Sequence, residues 1–166
     1  MTTDVINRIV TFVVLCLVQS LVLNHIHIFG FATPLLYIYM VLQFRRNYPK
    51  WGILLWSFML GVVIDTFSNT PGVTSASLLV VGAVQPYFFE LFLQQDSAED
   101  LRPSLISLGF AKYLFYIFVL VLLYCTLFFT IETFNFFNWQ QWLECIGGST
   151  ILTIILILTI ETVRKK

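Results

Sequence analysis

Few residues in this chain have the side chains for chemistry. One acid, Asp65, stands among Val62, Val63, Ile64 and Phe67 in the stretch GVVIDTFSNTPGVTS. A carboxylate set in an apolar helix is a candidate ion, proton or substrate site, because burying it unpaired is costly. It is equally a candidate fastener, holding two helices together or meeting a partner protein. No second acid or base lies at matching depth, so the acid–base pairing that hydrolytic chemistry needs is not in view. His25 and His27 are two apart and do not share a helical face, which reads as interfacial side chains rather than a metal site. Cys16, Cys125 and Cys145 have no ligand-like spacing and read as small buried hydrophobes. Glu90 and Lys112 are placed to form an interfacial pair that positions more than it stabilises. Gly-x-Ser-x-Gly, His-Glu-x-x-His and phosphate-cradling glycine loops are missing. The residues therefore point to a protein without catalytic residues, metal or cofactor.

The elements that must position Asp65 follow from composition. Of 166 residues, 58% are hydrophobic and only 11% charged, whereas a soluble domain carries about a quarter charged residues. The excess Phe, Leu, Ile and Val needs an apolar solvent, and lipid supplies it. The expectation is an all-α integral membrane protein forming one domain over 1–166, whose first apolar run is a retained span rather than a cleaved leader. A crossing takes about 20 apolar residues. Spans are expected at Ile9 to Phe29, Trp51 to Phe67, Val73 to Leu93, Leu105 to Ile131 and Leu143 to Val163. A sixth segment, Phe31 to Phe44, is apolar but short: a tilted or broken span, or a re-entrant arm.

Charge decides in favour of six. Lys and Arg collect in cytoplasmic loops. With Phe31 to Phe44 counted as a span, Arg8, Arg45, Arg46, Lys50, Arg102, Lys112, Arg164, Lys165 and Lys166 all fall on one side. The opposite loops, HIHIFGFAT, SNTPG and ETFNFFNWQQWLE, contain none. Both termini are therefore expected in the cytoplasm. The last of those loops, Glu132 to Glu144, mixes Phe134, Phe136, Phe137, Trp139 and Trp142 with Asn and Gln, as suits the headgroup layer. The connector QQDSAEDLRP reads as solvated.

On this frame Asp65 lies about 14 residues up span three, roughly 20 Å from its inner end. An acid at a span centre costs about 2.5 to 3.5 kcal/mol, against a gain of roughly 0.3 to 0.6 kcal/mol for each large apolar residue. Something must satisfy it. Asn69, four residues on, is expected on the same helical face, and Thr66, Ser68 and Thr70 add hydroxyls. Thr74, Ser75 and Ser77 can cap the free amides of span four, after the turn at Pro71 and Gly72. Ser57 and Gly61 give span three a small-residue stripe for close packing. Pro86, four residues after Gly82, predicts a kink in span four.

These features resemble the rod shape-determining protein MreD family. In that family the third span closes with Gly-x-x-x-Asp, here Gly61 to Asp65, and a short glycine-containing turn leads into a fourth span rich in small residues, here GVVIDTFSNTPGVTSASLLVVGAVQPY. The aromatic-rich loops are similar to the form found in Gram-negative anaerobes of the Bacteroides type. The resemblance implies a non-enzymatic scaffold of the cell-wall elongation complex in the bacterial inner membrane. It implies MreC as partner, with MreB, RodA and a class B penicillin-binding protein in the larger complex, the lipid bilayer around it and no nucleic acid. It also implies the fold of the substrate-binding subunits of energy-coupling-factor transporters, which leaves a vitamin-binding transporter subunit as the alternative. Those subunits carry Ala-x-x-x-Ala on the first span, whereas IVTFVVLCLVQSLVLN here has no alanine.

Overall fold

A computed structural model of the chain describes residues 2–21, 33–93, 101–133 and 139–164. All regular structure among them is helical: α1 (Thr2–Leu21), α2 (Ile38–Leu42), α3 (Lys50–Ser68), α4 (Val73–Phe92), α5 (Leu105–Leu108), α6 (Phe110–Thr133) and α7 (Trp139–Arg164). Four of these, α3, α4, α6 and α7, are long and apolar enough to cross a membrane, and α1 adds a shorter apolar stretch, Arg8–Leu21. The 19 residues of α3 span about 29 Å, close to the hydrocarbon thickness of a bilayer. Phe58 and Val62 on α3, Phe115 and Phe118 on α6, and Ile151 and Ile155 on α7 are exposed. Helices apolar on their outer as well as their inner faces are those of a membrane protein.

The expected spans three and four agree with α3 and α4 to within a residue at each end. The expected fifth span, Leu105 to Ile131, is divided. Gly109, at φ 79 and ψ 158, separates α5 from α6 in a conformation that suits glycine alone. A reciprocal Ser104–Ser107 cap opens α5. The helix at the expected last span, α7, begins at Trp139, four residues before the expected Leu143, so that the second half of the aromatic loop is the first turn and a half of α7. The outer part of span one with His25 and His27, the loop aromatics Phe134, Phe136 and Phe137, and most of QQDSAEDLRP lie outside the described residues.

The segment Phe31 to Phe44 requires a correction. Expected as a tilted or broken span or a re-entrant arm and counted as one of six helices, it is not a continuous helix: among its described residues, 33–44, only Ile38–Leu42 is helical, and residues 33–35 are irregular. Pro34 lacks an N–H and disfavours helical geometry at Thr33, which accounts for the break. Yet the segment is among the most buried of the described residues, with Tyr37, Ile38, Val41 and Leu42 at 2% exposure or less. Its backbone is satisfied by side chains from the surrounding helices. Gln19 of α1 donates to the Pro34 carbonyl at 2.9 Å and accepts from the Leu36 N–H at 3.1 Å. Ser149 and Thr153 of α7 accept from the N–H groups of Thr33 and Leu35, each at 3.1 Å. At the other end Tyr116 donates to the Leu42 carbonyl at 3.1 Å and Gln85 to that of Phe44 at 3.4 Å.

These contacts also give the direction of the segment. Thr33, Leu35 and Tyr39 meet Ser149, Thr153 and Glu161 in turn, so the segment runs parallel to α7. It begins level with Gln19 on α1 and ends with Phe44 beside Arg8, whose guanidinium lies 4.8 Å from the Phe44 ring and 4.1 Å from that of Tyr48. Arg46 N–H bonds the Leu101 carbonyl, Lys50 sits over the Tyr87 ring, and Arg102 and Arg164 share a cleft with Arg8. The basic residues so connected gather at one end of the bundle.

Gln19 satisfies two buried backbone groups, and leaving such a group unmet costs about 1 to 3 kcal/mol. Gln19→Leu is therefore expected to lower the unfolding midpoint in detergent well below that of Thr126→Val. The latter loses only a bond from an exposed hydroxyl to its own helix, Thr126 to the Leu122 carbonyl. Equal midpoints would contradict the role given to Gln19.

Candidate functional site

Asp65 lies in the last turn of α3 and is 6% exposed. The helix ends four residues later, where Asn69 turns into the left-handed region at φ 55 and its N–H bonds the Asp65 carbonyl. The Thr70 N–H reaches the same carbonyl at 3.3 Å. Pro71 and Gly72 complete the turn, and Gly72, at φ 83, is the residue from which α4 starts. A positive φ suits glycine, but a glycine cannot supply the side-chain oxygen that normally caps a helix.

Asp65 supplies it instead. One carboxylate oxygen, Oδ1, accepts from the Thr74 N–H at 2.9 Å and the Thr70 hydroxyl at 3.3 Å. The other, Oδ2, accepts from the Ser75 N–H at 3.0 Å and the Ser75 hydroxyl at 2.9 Å. Counting from Gly72, Thr74 and Ser75 are the second and third residues of α4, whose amides a cap ordinarily satisfies. The acid of one helix thus caps the next. The positive end of the α4 dipole reinforces the contact.

The approach of α4 that makes these distances possible depends on Gly61, one turn before Asp65. A Cβ placed on Gly61 would lie 2.3 Å from Ser75 Cα and 2.7 Å from its N. The same stripe continues to Ser57, which faces Gly82 of α4, where an added Cβ would fall 2.6 Å from the serine hydroxyl. Ser57 and Gly61 therefore line the contact with α4, as their spacing predicts.

The partners of Asp65 differ in part from those expected. The Asn69 side chain does not reach the carboxylate, because Asn69 has already left the helix and the four-residue spacing no longer places it on the same face. Asn69 is exposed and contributes its backbone instead. The Thr66 hydroxyl bonds back to the Val63 carbonyl and that of Ser77 to Val73. Pro86 lies within α4, which runs as one helix from Val73 to Phe92. Glu90 and Lys112 are both exposed and form no ion pair with each other among the described residues. Cys16 and Cys125 are buried and Cys145 half-buried, all as free thiols.

Chemically, the arrangement at Asp65 is closed. A carboxylate has about four lone-pair positions, and four donors fill them here. A bound cation or a proton in transit would have to displace one of these donors. Beneath the cap, the Tyr37 hydroxyl shares a hydrogen bond with that of Tyr124 and lies against the Thr74 side chain. The central segment is thereby joined to the same corner.

Sequence reading overlooked a set of polar residues within apolar runs: Gln19, Gln85, Ser149, Thr153 and Glu161. The signal was available, since each interrupts a spanning stretch, as Gln85 does in SLLVVGAVQPYF. What they satisfy is backbone of the 33–44 segment, or the hydroxyl of Tyr39 in the case of Glu161.

No family model, no curated protein and no solved structure matches this chain.

The close approach at Gly61 yields a direct test. Gly61→Ala is expected to destabilise by about 1 to 3 kcal/mol through overpacking, despite the better helix propensity of alanine. Gly147→Ala on α7, where an added Cβ meets nothing within 4 Å, is expected to be neutral or stabilising. Chemical denaturation in detergent distinguishes them, and a neutral Gly61→Ala would contradict the packing described. Asp65→Asn retains one acceptor but turns an N–H₂ group toward a backbone donor. It is expected to lose about as much stability as Asp65→Ala, on the order of 1 to 3 kcal/mol. A fully stable Asp65→Asn protein would show that the second oxygen is not needed.

Proposed function

We propose that the chain is a non-enzymatic membrane scaffold of the MreD type, acting in the bacterial inner membrane within the complex that elongates the cell wall. On this reading the chain crosses the bilayer six times with both termini in the cytoplasm, the irregular 33–44 segment being the second crossing. MreC is its direct partner, and MreB, RodA and a class B penicillin-binding protein belong to the larger assembly. The fold, on the same resemblance, is that of the substrate-binding subunits of energy-coupling-factor transporters.

The observation that carries the reading is the use made of Gly61 and Asp65. They are the two residues of the motif on which the resemblance rests, and in this chain the glycine admits α4 while the acid caps it. An acid whose acceptor positions are filled by its own hairpin supports a fold-and-assembly role over a transport or catalytic one. A scaffold also needs apolar flanks to meet other membrane helices, and α1 has one in Ile9, Val13, Leu17 and Leu21, all about half or more exposed.

Affinity purification of the tagged chain from its native membranes is expected to recover MreC, and depletion of the chain is expected to turn rod-shaped cells round. Asp65→Ala is expected to reduce the recovered MreC severalfold. Purification free of MreC, with a vitamin-sized molecule bound in its place, would transfer the chain to the transporter class.

A further inference from the structure

A cleft of about 650 Å³ lies between α1 and α7. The central segment forms its floor through Leu36 and Met40, Val10, Val14 and Val18 of α1 make one wall at four-residue spacing, and Ile160 lines it from α7. Val10 and Val14 are about half exposed, like Ile9, Val13 and Leu17 beside them, so this wall runs on into the lipid-facing side of α1. The cleft is bounded toward the basic end by Arg8, Arg102 and Arg164. Deeper in the bundle it closes, because Gln19 of α1 accepts from the Leu36 N–H and Thr153 of α7 from the Leu35 N–H. At that level a single pass of irregular backbone separates the two helices.

We propose that this cleft holds one acyl chain of a lipid from the leaflet at the basic end, its methyl end toward Val18, and that it selects the chain rather than the headgroup. An apolar wall open to a bilayer is covered by the apolar group that can reach it, because an uncovered wall forfeits its dispersion contacts. From Val10 to Val18 the wall rises about 12 Å along α1, most of the about 15 Å of hydrocarbon in one leaflet. An α-helix with its side chains is about 10 to 12 Å across, too wide to follow a cleft that closes to one pass of backbone. A second copy or a partner helix would therefore cover the outside of α1 and leave the floor at Leu36 and Met40 unmet. The arginines at the mouth do not direct the choice. Arg8, stacked on Phe44 and Tyr48, and Arg102 have interactions of their own within the chain, and Arg164 lines an adjoining hollow with Glu161. Anionic and zwitterionic lipids are accordingly expected to enter equally well. The inference requires only that the chain is embedded in a membrane, and stands apart from the scaffold reading.

Photo-labelling of the full chain tests it, in vesicles of dioleoylphosphatidylcholine containing a trace of phosphatidylcholine with a diazirine midway along one acyl chain. Val18 and Met40 are expected to be labelled at least about threefold more than Ile151 and Ile155, exposed residues of α7 outside the cleft. Val14→Trp, which places an indole across the cleft, is expected to cut the labelling of Val18 and Met40 at least about threefold and to leave Ile151 and Ile155 unchanged. The same probe built on phosphatidylglycerol is expected to give the same pattern. Even labelling of cleft and outer residues in the unmodified chain would overturn the proposal whether or not the variant folds. So would cleft labelling that persists in Val14→Trp, cleft labelling by the phosphatidylglycerol probe only, or a dimer whose copies shield Val18 and Met40 from both probes.

Discussion

Where a chain has no water around it, every backbone N–H and carbonyl must be met by another group of the same chain. Long helices do this internally except at their ends. Among the described residues, two places where helices do not suffice matter most: the start of α4, which follows a glycine with no capping side chain, and the largely irregular segment 33–44 in the interior. In both, a polar side chain from a neighbouring element substitutes for a missing backbone partner. Asp65 does so for Thr74 and Ser75. Gln19, Ser149 and Thr153 do so for residues 33–36, and Tyr116 and Gln85 for the carbonyls of Leu42 and Phe44.

The insertion cost of Asp65 is understandable in these terms. Three of its four hydrogen bonds lie between 2.9 and 3.0 Å, and two come from amides that would otherwise be orphaned. Bonds to a charged acceptor contribute about 1.5 to 3 kcal/mol each, which offsets an insertion cost of similar size. The gain depends on Gly61, because a side chain there would hold α4 away from the carboxylate. Glycine and acid are thus one device, four residues apart on a single helical face, and neither serves without the other. The shared hydroxyl bond of Tyr37 and Tyr124 then connects that corner to the central segment and α6.

Most of the long elements were legible in the sequence because length and hydropathy report directly on them: α3 and α4 were placed to within a residue. The glycine-serine stripe was legible because small residues at helical spacing have few other uses. The partners of Asp65 were half legible. Its fastening role follows from cost, but the choice of Asn69 assumed a helix that continues, and the chain leaves the helix at that residue. The path of residues 33–44 was not legible, since an apolar run gives no sign of whether its own backbone or distant side chains satisfy it. The polar residues interrupting α1, α4 and α7 were the trace of that arrangement, and they acquire meaning only once the segment they serve is placed. The cleft between α1 and α7 was equally hidden, because Arg8, Arg102 and Arg164 are brought together by tertiary structure alone.

Amide hydrogen exchange at Thr74 and Ser75 tests the central claim, that Asp65 caps α4, most directly. In the unmodified chain both amides are expected to exchange slowly. In Asp65→Ala they are expected to exchange at least about tenfold faster, with the amides of Leu120 and Val121 in α6 unchanged. Unchanged protection at Thr74 and Ser75 would contradict the cap, and faster exchange spread uniformly over α3, α4 and α6 would contradict its being local.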